Sequence, residues 1–199
     1  MYIFCSDLEG VWVPEVWVNV ARITGIAELR LTTRDISDYD VLMKQRIRIL
    51  QEHHLTLQDI QQVIGSIEPL PGAKEMLDWI RSVSPIHIVS DTFIEFASPL
   101  MAQLGQPSLF CNHLSVSKEG IITDYHLRQK DQKREVVKAL RNLNYQVVAF
   151  GDSYNDISML QEADAGILFS PPQCVMDDYP QFPVVMDYTG LKEQLLPYL

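Results

Sequence analysis

Four acidic side chains and a hydroxyl stand where chain topology can bring them together. The chain opens on an apolar run, Tyr2–Ser6, that passes straight into Asp7-Leu8-Glu9-Gly10-Val11. A second run ends in Ser90-Asp91-Thr92, and a third in Gly151-Asp152-Ser153-Tyr154-Asn155-Asp156. Asp7, Glu9, Asp152 and Asp156 in one crevice would repel one another and raise each other's pKa. A set of carboxylate oxygens without His or Cys suits a hard cation, Mg²⁺ above others. Such an ion reverses the local field and, holding few protein ligands, pairs naturally with phosphate. A carboxylate can then attack phosphorus and form an aspartyl-phosphate. A second carboxylic acid close by can protonate the leaving oxygen and later activate water. Asp7 and Glu9, two apart beyond a strand end, fit these two roles. A hydroxyl such as Ser90 and a cation such as Lys133 can bind the transferring phosphoryl oxygens. Backbone N–H groups from Leu8 onward and around Asp91 add donors.

The elements that must position these residues follow from the hydrophobic pattern. Tyr2–Ser6, Ile86–Ser90, Gln146–Phe150 and Ala165–Phe169 are short continuous apolar runs, and Val184–Met186 is a fifth. Between them lie segments of helical period. Gly72–Val83 puts Met76, Leu77 and Ile80 on one face. Phe93–Leu104 does so with Phe93, Phe96, Ala97, Leu100 and Leu104. Lys133–Leu143 does so with Val136, Val137, Leu140 and Leu143. Apolar strands alternating with helices predict a parallel sheet covered on both faces. The C-terminal strand ends of such a sheet share one edge, where ligands bind, so the acidic stretches should converge there. From Pro14 to Pro69 no strand is predicted. That stretch reads as helices over Glu15–Thr24, Asp38–His53 and Thr56–Ile64, inserted after the first strand. Leu114–Ser117 and Ile121–His126 flank a Gly-containing turn and predict a β-hairpin.

Composition narrows the classes. At 199 residues and 47% hydrophobic content, the chain is one folded domain with at most a small insert, not a disordered segment. Its formal charge of −10 repels phosphate backbones and anionic lipid, which argues against nucleic-acid and membrane partners. An anionic substrate would need a local metal ion or a few placed cations. Cys5, Cys111 and Cys174 show no paired spacing and are expected to be reduced, buried thiols. The N-terminus has no basic region before its apolar run, and no apolar run reaches membrane-spanning length, so a cytoplasmic protein is expected.

Taken in order, Asp7-Leu8-Glu9-Gly10-Val11, Ser90-Asp91-Thr92, Lys133 and Gly151-Asp152-Ser153-Tyr154-Asn155-Asp156 resemble the four motifs of the haloacid dehalogenase superfamily. The closer resemblance is to phosphoserine phosphatases, and closest to their branch with phosphoserine:homoserine phosphotransferase activity. The stretches Asp38-Tyr39-Asp40-Val41-Leu42-Met43-Lys44-Gln45-Arg46 and Leu127-Arg128-Gln129-Lys130-Asp131 also look like that branch. The resemblance implies an α/β fold, a Rossmann-like three-layer parallel-sheet core over residues 1–13 and 70–199 with a helical cap over 14–69. It implies a Mg²⁺-dependent phosphatase acting on O-phospho-L-serine through an aspartyl-phosphate, with transfer to homoserine as a second outcome. Asp7 is then nucleophile and metal ligand, and Glu9 is the acid/base that also offers its backbone carbonyl to the metal. Asp152 is a metal ligand, and Asp156 supports the metal from behind. Ser90 and Lys133 bind phosphate, with Asp91, Thr92 and Asn155 in the substrate-binding set. Glu15 meets the substrate ammonium and Arg46 its carboxylate. Most of the superfamily has Asp where this chain has Glu9, but Glu is usual in the closer branch. Lys133 is preferred to Lys130 because Lys133-Arg134-Glu135-Val136-Val137 opens a helix, as the family's lysine does. Exposed apolar surface on the cap would support a homodimer.

Each of these residues also has a plainer reading. Arg46 on a helix is by default a solvated charge, and Glu15 at a helix start favours the dipole. His53 and His54 read as exposed helix-end residues, and His87 as a core histidine with a satisfied hydrogen bond. The small-molecule substrate could instead be another small phosphorylated metabolite, and two other classes compete with a phosphatase. A phospho-accepting receiver module needs neither the insert nor Glu9. A dinucleotide oxidoreductase needs a G-x-G-x-x-G after the first strand, which is absent.

Overall fold

A computed structural model describes residues 1–32, 35–36 and 38–199. Strand β1 (Tyr2–Ser6) is followed by helices α1 (Val16–Thr24), α2 (Tyr39–Glu52), α3 (Leu57–Gly65) and α4 (Ala73–Val83). The chain continues through β2 (Ile86–Phe93), α5 (Ile94–Gln103), β3 (Ser108–Val116), β4 (Ile122–His126) and α6 (Gln132–Asn142). It closes with β5 (Gln146–Gly151), α7 (Ile157–Glu162), β6 (Ala165–Phe169), α8 (Gln173–Asp178), β7 (Val184–Val185) and α9 (Tyr188–Leu195). Among the described residues these strands form one sheet in the order β4-β3-β2-β1-β5-β6-β7. All pairings are parallel except β3 with β4.

Alternation along the central strands divides the core into two layers. Phe4, Ile86, Ile88, Val148 and Phe150 face one side, where they pack with Met76, Leu77 and Ile80 of α4 and Leu191 and Leu195 of α9. Ile3, Cys5, Val89, Val147 and Ala149 face the other, against Val136, Val137 and Leu140 of α6 and Met159 and Leu160 of α7. Strands buried on both faces need apolar residues at every position, which is why β1, β5 and β6 show as continuous runs in sequence. Each fully buried aliphatic or aromatic side chain contributes roughly 1.5–3 kcal/mol. The helices after β1 share the first layer: Val16, Val20, Met43, Ile47, Leu50, Ile60 and Ile64 belong to the same core as the sheet face. Among the described residues no helix is long and apolar enough to cross a membrane.

The structure differs from the sequence reading at several points. β2 continues to Phe93 instead of stopping at Ser90. Residues 108–113 are strand, although only the hairpin arm from Leu114 was expected. β3 is half-exposed along much of its length, so it has no apolar run to reveal it. Leu143 caps the end of α6 and is exposed, not on the buried face. Only Cys5 of the thiols is buried; Cys111 is half-buried and Cys174 exposed. His87 is half-buried near the β2–β3 pairing, its Nδ1 2.8 Å from Ser108 Oγ. A helix after the Asp152–Asp156 stretch is present as α7, whereas the short helices α8 and α9 show no periodicity in the sequence.

Just beyond β1, the Trp12 side chain is fully buried, stacked on Tyr188 and edge-on to Phe150. Its indole N–H donates to the buried Ser6 hydroxyl at 2.7 Å. Trp12→Phe should lower stability by about 1–3 kcal/mol, because the Ser6 hydroxyl loses its donor out of reach of water. The urea midpoint should fall at unchanged slope, and adding Ser6→Ala should recover part of the loss. A midpoint equal to wild type would contradict this account.

Candidate active site

The site lies at the C-terminal end of β1, where the strand order runs one way to β2 and the other to β5. That topological switch point opens a crevice in any doubly wound sheet. The Asp7 N–H donates to Phe150 O at 3.1 Å, so Asp7, one residue beyond β1, is still tied to β5 before the chain turns. The turn is closed by Gly10 N–H to Val13 O at 2.8 Å and Trp12 N–H to Leu8 O at 2.9 Å. Gly10 has φ +74°, and a Cβ there would overlap the Asp152 carboxylate, so both backbone and space demand glycine.

Two carboxylates converge on one ammonium. Lys133 Nζ lies 2.9 Å from Asp7 Oδ1 and 2.8 Å from Asp156 Oδ1, and all three residues are buried. Asp7 Oδ1 also accepts the Leu8 N–H at 2.7 Å. Asp156 Oδ2 accepts the N–H groups of Asp152 and Ser153, each at 3.0 Å, and so folds the loop after β5 around itself. Gly151 leaves room for that loop, since a Cβ there would overlap the Asp156 side chain. One oxygen from each of Asp7, Asp152 and Asp156 lies within 4.8 Å of the others.

The electrostatics follow from burial. Desolvation and the Asp156 charge hold the Asp7 carboxyl well above its usual range, with Lys133 pulling it down. The same two causes push Asp152 up to about 7. Burial works against the Lys133 charge, but Asp156 and Asp7 outweigh it and keep the ammonium protonated. Glu9 is raised to about 8 by desolvation, then by the neighbouring Glu15 charge. The longer arm of Glu reaches the insert: its Oε2 accepts the Val16 N–H at 2.8 Å, at the start of α1.

Asp7, Glu9, Ser90, Asp91, Thr92 and Lys133 line one cleft of about 360 Å³. Asp152 and Asn155 line it from the β5 loop, and Glu15 and Arg46 from the helices above. Asp156 is not in the lining but sits fully buried behind it. Lys130 is exposed and outside it. Arg46 is not the solvated charge that its place on a helix suggests. It is only 7% exposed, its guanidinium lies 4.4 Å over the Trp17 ring, and its Nη2 donates to Leu31 O at 2.7 Å. Its Nε is buried without a partner among the described residues, and burial lowers its pKa to about 10, still charged at neutral pH. Sequence reasoning missed Trp17, Tyr39 and Leu42, which line the cleft beside Arg46. It also missed Gln132 and Asn112, buried behind the Ser90 turn. The one available signal was that Gln132 immediately precedes Lys133.

Comparison with known proteins agrees with this geometry. Residues 7–164 match the family described as haloacid dehalogenase-like hydrolase. The chain is 55% identical over 196 residues to phosphoserine phosphatase ThrH of Pseudomonas aeruginosa, covering 98% of this chain and 96% of that one. It is 55% identical over 194 residues to a phosphoserine phosphatase of Pseudomonas syringae pv. tomato, covering 98% and 82% respectively. Among solved structures, an apo phosphoserine phosphatase superposes with TM-score 0.75 at 22% identity, covering 100% of this chain and 98% of that one. A phospho-aspartyl intermediate analogue of phosphoserine phosphatase gives TM-score 0.74 at 21% identity, covering 99% and 98%. At such identities the structural matches speak for the fold.

Removing the shared ammonium should be costly. Lys133→Met leaves Asp7 and Asp156 facing each other without a counter-charge, and should destabilise the protein by about 3–5 kcal/mol. Lys130→Met, at an exposed position, should stay within about 0.5 kcal/mol of wild type. Thermal melts of the two variants side by side test this, and equal shifts would remove the structural weight given to Lys133.

Proposed function

The chain belongs to the haloacid dehalogenase-like hydrolases, and from that premise we propose that it hydrolyses O-phospho-L-serine to L-serine and phosphate through a phosphoryl group carried on Asp7. The observation that carries this reading is the Asp7 carboxylate, held by Lys133 and Leu8 N–H through one oxygen alone. Its Oδ2 is left to attack phosphorus. As the new P–O bond forms, the ester P–O bond breaks, and Glu9 delivers a proton to the departing serine oxygen. Glu9 then takes a proton from water attacking the aspartyl-phosphate, releasing phosphate and restoring Asp7. Ser90 and Lys133 stand beside Asp7 to hold the phosphoryl oxygens.

The donor set fits Mg²⁺. It is all carboxylate, and Asp156 already gives its oxygens to Lys133 and two backbone N–H groups. We assign Asp7 and Asp152, with the Glu9 backbone carbonyl, to hold the ion, and Asp156 to brace the loop behind it. When bound, the ion supplies positive charge against the phosphoryl oxygens and the crowded carboxylates.

The substrate assignment is supported by the charges above the floor and by the names of the 55% identical relatives. Glu15 and Arg46 line the same cleft and offer one anion and one cation, the complement of an amino acid's ammonium and carboxylate. The segment 14–69 acts here as a cap that holds the amino-acid end and excludes bulk water. Homoserine, with the same two charges and one more methylene, can enter where serine left and accept the phosphoryl group in place of water.

Phosphoserine plus Mg²⁺, followed by phosphorus NMR with and without homoserine, should give inorganic phosphate alone in the first case and an added phosphomonoester signal in the second. Asp7→Asn, or chelation with EDTA, should reduce turnover to background. Full activity in either would refute the mechanism. Arg46→Ala should lower kcat/KM for phosphoserine by roughly 2–5 kcal/mol while affecting p-nitrophenyl phosphate far less. Equal losses on both esters would remove Arg46 from recognition of the amino acid.

A further inference from the structure

β2 leaves its ladder next to the phosphate site. It pairs with β3 through Val89↔Phe110 and again through Phe93↔Asn112. Ser90, Asp91 and Thr92 therefore stand opposite the single residue Cys111, a larger excursion than the usual two-against-one bulge. The excursion turns Ser90 into the cleft, but it strips backbone carbonyls of ladder donors beside the buried Ser90. Buried carbonyls without partners are costly, so other donors must replace the ladder.

Two buried carboxamides do so. Gln132 is 2% exposed, and its Nε2 donates to Ser90 O at 2.8 Å and to Asp91 Oδ1 at 3.0 Å. Asn112, also 2% exposed, donates from Nδ2 to Asp91 O at 3.1 Å. Each amide oxygen is fixed by Arg128. Asn112 Oδ1 accepts its backbone N–H at 2.9 Å, and Gln132 Oε1 lies 3.4 Å from its Nη2. Flipping either amide would set oxygen against oxygen, so both are locked as donors. Within the bulge, Ser90 Oγ accepts the Thr92 N–H at 3.3 Å, which leaves the hydroxyl proton to donate outward. Gln132 and Lys133 are consecutive at the start of α6, so one turn serves both the bulge and the Asp7–Asp156 pair.

We propose that Gln132, seconded by Asn112, is a positioning residue for phosphoryl binding, replacing the missing ladder donors so that Ser90 and the backbone N–H groups after it face the phosphoryl oxygens. This rests on the cleft being the phosphate site proposed above. It goes further in assigning the phosphate end of that site to two residues that never touch substrate, and in leaving the amino-acid end independent of them.

Gln132→Met keeps the length and volume of the side chain and loses every hydrogen bond. The expected result is a 10- to 100-fold weaker dissociation constant for inorganic phosphate in Mg²⁺, by titration calorimetry, the scale on which outer partners of a site act. kcat should fall by a similar factor on phosphoserine and on p-nitrophenyl phosphate alike, while inhibition by L-serine, which lacks the phosphate, stays within twofold of wild type. Asn112→Leu, which removes one bond donated into the bulge where Gln132→Met removes two, should show the same pattern at smaller amplitude, and serves if the first variant does not fold. Phosphate affinity unchanged in a variant with a lowered Tm would make the carboxamides mere ties between α6 and the sheet, and overturn the proposal. So would equal losses of phosphate and L-serine affinity. If wild type hydrolyses neither ester yet binds phosphate, the functional reading fails, and the phosphate affinities of the variants still decide this one.

Discussion

A single buried ammonium holds the catalytic end of the sheet together. Lys133 bridges Asp7 at the end of β1 and Asp156 in the loop after β5, within 3 Å of each. Burial works against the lysine's charge, and the two carboxylates facing it outweigh that cost. The bridge therefore couples the start of α6, the turn after β1 and the loop after β5 into one unit whose parts are marginal separately. Its charge is not balanced: two carboxylates share one cation, and Asp152 adds a third within 4.8 Å. The deficit sits where a divalent cation and a phosphoryl group would meet, which is how a chain of net charge −10 can attract an anion.

Around this bridge each strand end departs from regular structure by a different device. β1 ends in a turn that only Gly10 can make, packed against Asp152. β5 ends in a loop wound round the Asp156 carboxylate. β2 passes through a bulge before its last residue, and side-chain amides replace the lost ladder partners. The sheet supplies direction and proximity, and these local departures supply aim.

Much of this was legible in the sequence because the central strands are buried on both faces. Tyr2–Ser6 and Ala165–Phe169 appear as apolar runs with the same limits in sequence and structure, and the acidic stretches that follow strands necessarily share an edge. What stayed hidden depends on position within the sheet or on tertiary packing. β3 has one strand direction toward β2 and a hairpin with β4, is half-exposed, and carries no apolar signature. The bulge in β2 is a relation between two strands, so no property of Ser90-Asp91-Thr92 announces it. Arg46 reads as a surface cation because its helix spacing does not reveal that Trp17 lies beneath it. Gln132 and Asn112 are ordinary polar residues until their burial is known.

The contact from the Val16 amide to the Glu9 carboxylate joins the start of α1 to the turn after β1 at the residue proposed to handle the proton. Glu15 sits one residue before Val16, on the same helix end. Under the proposed roles, a rotation of α1 away from the sheet would carry off Glu15, the anchor of the amino group, and the brace of Glu9, the proton donor, in one movement. Admission of substrate and readiness to shuttle protons would then be mutually exclusive postures, and a phosphorylated Asp7 exposed by an ajar lid would face solvent with no organised base to hasten its loss.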